Sequence, residues 1–225
     1  MPIGGQALNV GLSDAVNLGW KLAAVLAGWA PPGLLDSYET ERHAAAARVI
    51  RHVAGQETLL RGGTEVEPLR EVLSESFALD AVQQFLGRFC AGLDDRYGTG
   101  DDQCGTDDNV LTGRHMACLR PPSAPGALPA DLLTGAHGGV LVRFASPRRE
   151  TGHDGHGPAA RSVTLASGAS LRIVHATIRP PGNRITDLLL RPDAHIAWAG
   201  ADRRRLSDAV RQWLGAPLPD SHLAR

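Results

Sequence analysis

The sequence predicts an α+β chain in two parts, a helical N-terminal stretch followed by a small unit of strands closed by a helix. Three observations carry this. Apolar residues recur at three- and four-residue steps from Leu8 to Phe89, the spacing of helical faces. Between Asp94 and Asp108 the composition turns to Asp, Gly and Thr, which bury too little apolar surface to order a core. Beyond that point the apolar residues fall in short runs bounded by Gly, Pro and Asp, the signature of strands.

The first helix is read from Leu8 to Leu26, with Leu8, Leu12, Ala15, Leu18, Leu22 and Val25 as its buried face. Trp29 to Gly33 ends it, because Pro31 and Pro32 lack the amide donor and crowd the preceding turn. Asp36 opens a second, more polar helix through Tyr38, Ala45, Val49 and Val53, expected to stop near Gly62 and Gly63. A single third helix, with Pro68 in its first turn and Leu69, Val72, Leu73, Phe77, Val82, Phe85, Leu86 and Phe89 inside, is expected to run to Gly92.

Strands are expected at Val140 to Phe144, Ser162 to Leu165, Leu171 to His175, Asp187 to Leu190 and His195 to Trp198. The last two flank Arg191-Pro192-Asp193-Ala194, which reads as a hairpin turn. A final helix from Asp202 to Leu214 places Leu206, Val210, Trp213 and Leu214 on one face. The expected organisation is a helical domain at 1–94, a linker at 95–108, a C-terminal domain at 109–218 and a tail at 219–225.

Several function classes are disfavoured. With 23 basic and 24 acidic residues the net charge is −1, so there is no field to draw in nucleic acid or an anionic membrane. The apolar stretch from Ala23 to Trp29 is far short of the roughly 20 residues that cross a bilayer. No secretory signal follows Met1, and a cytoplasmic location is expected. Cys90, Cys104 and Cys118 form no Cys-x-x-Cys pair for zinc or redox work and suit a reducing compartment. His153 and His156 lie in a Gly-rich loop without a third ligand at fixed spacing and are read as solvated, so no metal is expected. Arg203-Arg204-Arg205 reads as a solvated charge run, and Trp20, Trp29, Trp198 and Trp213 as core.

The run Pro2-Ile3-Gly4-Gly5-Gln6-Ala7-Leu8-Asn9 sets two adjacent glycines just before a helix. Glycines let backbone pass close to a ligand, and the first helical turn carries unpaired amides at the positive end of the dipole. That geometry welcomes a phosphate or a polarised carbonyl on a planar ring.

The longer run from Pro2 to Leu22 closely resembles the flavin-proximal motif of the aromatic-ring hydroxylases related to p-hydroxybenzoate hydroxylase. The resemblance continues through Leu34 to His43, Gly92 to Tyr97, Leu190 to Asp193 and Ile196 to Trp198, and is nearest to the branch acting on polycyclic polyketides. It implies the helical C-terminal part of a flavin-binding domain followed by a small thioredoxin-like α/β domain without redox cysteines. It implies FAD as cofactor and NAD(P)H as reductant, with oxygen carried as a flavin C4a-hydroperoxide to a phenolic ring. The cofactor-binding residues it implies are Pro2, Gly4, Gly5, Gln6, Leu8 and Asn9, with backbone amides near Leu8 and Asn9 facing the pyrimidine edge of the ring. No catalytic acid, base or nucleophile is expected here, since the cofactor carries the chemistry.

The sequence departs from the family pattern in three places. It has no Gly-x-Gly-x-x-Gly for the pyrophosphate, no Gly-Asp and His upstream of Pro2, and Ala7 where the family usually has glycine. The chain alone is therefore expected to hold FAD weakly, as a truncated product, a misplaced start or a domain working beside a separate flavin-binding chain. The expected function is an FAD-dependent monooxygenase of polyketide tailoring, or a fragment of one, acting on an aromatic polyketide-like small molecule. The alternative is a non-catalytic accessory or interaction module built on the thioredoxin-like domain.

Overall fold

Helix α1 runs unbroken from Gln6–Leu26 in the computed structural model, which describes residues 6–97, 111–119, 138–144, 161–176 and 185–223. Its sequence favours this, since no proline or interior break occurs before Gly28, where a left-handed φ of 76° turns the chain out of the helix. The buried side of α1 is not the expected leucine stripe. Leu8, Leu12, Leu22 and Val25 are all exposed, whereas Gln6, Asn17, Trp20, Lys21 and Ala24 are buried. Specific polar partners override the apolar period here: Asn17 Nδ2 donates to Glu41 Oε2 at 2.7 Å, and Trp20 Nε1 donates to Asp193 Oδ2 at 3.1 Å.

The chain divides into two compact units. The first comprises Met1–Leu18 and Asp36–Asp95, and the second Gly19–Leu35 and Arg96–Arg225, so α1 contributes turns to both. In the first unit α2 spans Ser37–Arg61 and stops at Gly62, as the glycine pair predicts. The expected single third helix is instead two, α3 (Glu67–Phe77) and α4 (Asp80–Cys90). Leu79 adopts extended backbone between them, and Asp80 opens α4 where its charge complements the helix dipole. Buried Arg42 on α2 ties this unit together, donating to Asp14 Oδ1 at 2.6 Å and to Asp95 Oδ2 at 2.8 Å.

The second unit is built on a five-stranded sheet of order β2-β3-β1-β4-β5. Its strands are β1 (Gly139–Phe144), β2 (Arg161–Thr164), β3 (Ser170–Ala176), β4 (Asp187–Leu190) and β5 (Ile196–Gly200). β1 pairs parallel with β3, in register Gly139↔Leu171 to Phe144↔Ala176, and antiparallel with β4. A parallel central pair, an antiparallel hairpin and a following helix make up the strand plan of a thioredoxin-like sheet. β1 and β4 are buried on both faces, which is why they read as continuous aliphatic runs. One core cluster gathers Leu141, Leu171, Ile173 and Leu189 with Leu206, Val210 and Leu214 of α5 (Arg203–Leu214), and with Trp20, Ala24 and Trp29. A second gathers Val140, Val142, Phe144, Leu188, Leu190 and Ile196.

Helix α5 is delimited as the sequence indicates. Asp202 accepts from the Arg204 and Arg205 amides at its start, and Gly215 closes it with a left-handed φ of 79°. A side chain at Gly215 would also stand 2.7 Å from the Trp29 carbonyl. A short helix, α6 (Asp220–Leu223), follows. The Arg203-Arg204-Arg205 run is exposed as expected, Trp20 and Trp29 are buried, and Trp198 and Trp213 are partly buried against the core. The 148–157 loop with His153 and His156 lies outside the described residues. Among the described residues no three metal-ligating side chains gather, and no helix is long and apolar enough to cross a membrane.

Candidate functional site

Helix α1 is described from Gln6, the residue after Gly4-Gly5 in the sequence, and a helix that starts there leaves the Gln6, Ala7 and Leu8 amides without an acceptor of its own. The Asn9 amide falls where the helical ladder starts. The turn is open on the side of Ala7 and Leu8, which are exposed, with Leu8 at 72%. Of the expected cofactor-binding residues, Gln6, Leu8 and Asn9 therefore share this turn, and Pro2, Gly4 and Gly5 lie outside the described residues.

The two polar side chains of the turn point to one residue. Asn9 Nδ2 donates to the Cys90 carbonyl at 2.7 Å, satisfying one of the carbonyls that the end of α4 leaves without a helical donor. Gln6 Nε2 donates to Cys90 Sγ at 3.5 Å. Gln6 is only 3% exposed, and its Oε1 is buried without a hydrogen-bond partner. The chain leaves α4 through Gly92, whose left-handed φ of 70° and lack of a side chain let it lie against α1, where a Cβ would come 3.3 Å from Ser13 Oγ. The end of α4 is thus bonded to the start of α1 at two points and lies against it at a third.

This arrangement fits the edge of a flat, electron-accepting ring. Open amides at a helix N-terminus carry a partial positive charge of about half a unit, which stabilises negative charge developing on a ring carbonyl. The unpartnered Gln6 Oε1 adds an acceptor beside them. The site offers electrostatic support and orientation, and neither a nucleophile nor an acid–base pair stands in its first turn.

The second unit contains a polar cluster at the Arg191–Ala194 turn that the turn-type sequence pattern does not reveal. Arg191 and Asp193 form a buried two-bond ion pair, through Arg191 Nε to Asp193 Oδ1 at 3.1 Å and through a second guanidinium nitrogen to Oδ2. The guanidinium lies over three aromatic rings, 4.3 Å from the Trp213 centroid, 5.1 Å from Tyr97 and 5.3 Å from Trp20. His195 stacks on Tyr97 at 3.9 Å. Burial acts to raise the Asp193 pKa, but the Arg191 charge and the His195 contact outweigh it and hold the carboxyl well below the usual range. The expected hairpin is present, with Arg191 N donating to His195 O at 2.9 Å, and Ala194 occupies a left-handed φ of 66° at its tip. Lys21, the sole lysine, is wholly buried with its ammonium 5.9 Å from the Trp20 centroid.

Comparison with known proteins gives the family. The family described as FAD binding domain matches residues 1–53, and that described as aromatic-ring hydroxylase, C-terminal, matches residues 109–217. The chain is 33% identical over 223 residues to a 12-dehydrotetracycline 5-monooxygenase/anhydrotetracycline 6-monooxygenase of Streptomyces rimosus, covering 96% of the chain and 41% of that protein. It is 37% identical over 216 residues to a dialkyldecalin synthase of Streptomyces rugosporus, covering 95% and 39%. Among solved structures, CabE, an aromatic hydroxylase from angucycline biosynthesis, superposes with a TM-score of 0.68 at 32% identity, covering 97% of the chain and 43% of CabE. The chain thus spans about two fifths of the length of the relatives it matches. FAD is the cofactor of this family. The chain belongs to the FAD-dependent aromatic-ring hydroxylases and carries the C-terminal portion of that family's sequence.

Proposed function

We propose that this chain supplies the flavin-facing helix start and the C-terminal domain of an FAD-dependent monooxygenase that hydroxylates an aromatic, polyketide-like small molecule. One observation carries the reading: the first described turn of α1 begins at Gln6, the residue that follows Gly4-Gly5 in the sequence, and is open to solvent at Ala7 and Leu8. When bound, FAD supplies the redox chemistry, taking electrons from NAD(P)H and activating oxygen for transfer to a phenolic ring. The residues of this chain have a narrower task. The Gln6, Ala7 and Leu8 amides would stabilise negative charge on a bound flavin ring, and by the family resemblance Gly4 and Gly5 would let backbone approach the ring and Pro2 would line it. Asn9, bonded to the Cys90 carbonyl, holds the turn in place.

The similarity to the anhydrotetracycline monooxygenase and to the angucycline hydroxylase supports a polycyclic aromatic substrate. The similarity to a dialkyldecalin synthase sets the reaction apart from the fold, since the same framework serves a protein named for a different product. No Gly-x-Gly-x-x-Gly occurs in the 225 residues, so the pyrophosphate of FAD falls to sequence outside them, whether joined to this chain or on a separate one. The chain alone is then a weak flavin binder and incompetent for turnover.

Titration of the purified chain with FAD, followed by absorbance and fluorescence, tests the reading. A shifted, quenched flavin spectrum supports it. An unchanged spectrum, both alone and with a candidate flavin-binding partner, removes the enzyme assignment.

A further inference from the structure

We infer that Cys90 is a positioning residue for the flavin-facing turn, acting through Gln6 and Asn9; the inference rests on the flavin reading of that turn. Its thiol sits within 3.5 Å of Gln6 Nε2, and its carbonyl takes the Asn9 side chain at 2.7 Å. Residue 90 therefore holds both polar side chains of the turn, one through the sulfur and one through the backbone. The two holds differ in consequence. The backbone hold survives any substitution at position 90, whereas the sulfur hold is specific to the thiol.

The sulfur hold decides which way the Gln6 amide faces. With Nε2 on Cys90 Sγ, the carbonyl Oε1 points away from the sulfur within the amide plane, where it is buried and unpartnered. A buried acceptor without a donor is unfavourable, and the cost is relieved when a donor arrives. The orientation thus leaves a fixed, buried acceptor in the first turn of α1, which a polar hydrogen on a ring bound at that turn would satisfy. A weak S···H–N bond suits this role, because it orients the amide without neutralising the oxygen. No sequence motif surrounds Cys90, and its 84-residue separation from Gln6 hides the pairing from a linear reading.

The test uses the full chain with Cys90→Ala and Cys90→Ser, read by two measurements. In the first, the Gln6 side-chain amide is followed by NMR without flavin. It is displaced from the solvent-exposed envelope and slow to exchange in the parent, collapses into that envelope in C90A, and returns in C90S, where a hydroxyl again accepts. In the second, FAD affinity falls about three- to tenfold in C90A and recovers in C90S, the fold-change of one modest hydrogen bond. A Gln6 resonance that ignores C90A overturns the inference, and so does unchanged FAD affinity in a C90A protein whose Gln6 signal has collapsed. If the parent chain leaves the flavin spectrum unperturbed, the flavin reading of the turn fails, and the Gln6 resonance still decides whether Cys90 holds that side chain.

Discussion

Trp20 Nε1 donates to Asp193 Oδ2 at 3.1 Å, joining residues 173 positions apart in a fully buried bond. It pins the C-terminal half of α1 to the β4–β5 turn within the second unit. Trp20→Phe keeps a single aromatic ring and removes the indole N–H donor together with the rest of the bicycle. Urea unfolding is expected to show a loss of about 1–3 kcal/mol, from the hydrogen bond and the small cavity together. A stability equal to that of the parent would mean the bond adds nothing.

Arg191 and Asp193 should behave as a unit. Arg191→Met leaves a buried carboxylate without its cation, with an expected cost of about 3–5 kcal/mol. Replacing both, as Arg191→Met with Asp193→Leu, removes the stranded charge and should recover a large part of that loss. A double-mutant cycle by chemical denaturation checks this, and strict additivity of the two single changes would contradict a coupled pair.

Acid should weaken the fold in two windows. The Asp193 carboxyl is held well below the usual carboxylate range in the folded chain, so its stabilising contribution is complete above the unfolded value of about 3.9 and drains away as pH falls below it. His52 is depressed by burial first and then by Arg48 and Arg51, so its contribution is complete above about 6.5 and is lost as pH falls below that. Denaturation midpoints should fall on acidification in both windows. Asp193→Asn should flatten the lower one and His52→Gln the upper one; variants that track the parent slope would rule out these groups as the source.

The exposed face of α1 should drive association. Leu8, Leu12 and Val16 are 72%, 55% and 53% exposed and stand at four-residue steps, forming one apolar stripe. Size-exclusion chromatography at low and high loading should show earlier elution at high loading, and Leu12→Lys with Val16→Lys should abolish the shift. A parent chain that elutes as a monomer at both loadings would contradict this.

The backbone plan was legible because it is written locally. Gly62, Gly215 and Asp202 mark helix ends through their own conformational and capping preferences, and β1 and β4 announce double-sided burial by unbroken aliphatic runs. What was not legible depends on partners distant in sequence. The leucine period of α1 pointed to the wrong face, because burial there is decided by Asn17 on Glu41 and Trp20 on Asp193. The break at Leu79 is hidden in the sequence because the apolar positions run on without interruption from Leu69 to Phe89. At the candidate site, the glycine pair and helix start were visible in the sequence, whereas the hold of Cys90 on Gln6 and Asn9 was not. Arg191-Pro192-Asp193 was readable as a turn, but its aromatic surround of Trp20, Tyr97 and Trp213 is assembled only by folding.

The central claim is that the opening amides of α1 meet the flavin, and hydrogen–deuterium exchange with and without FAD addresses it residue by residue. The account predicts slowed exchange at Gln6, Ala7 and Leu8 on adding FAD, with the α5 amides unchanged. Protection that spares this turn and appears elsewhere, or no protection at a concentration that shifts the flavin spectrum, would contradict it.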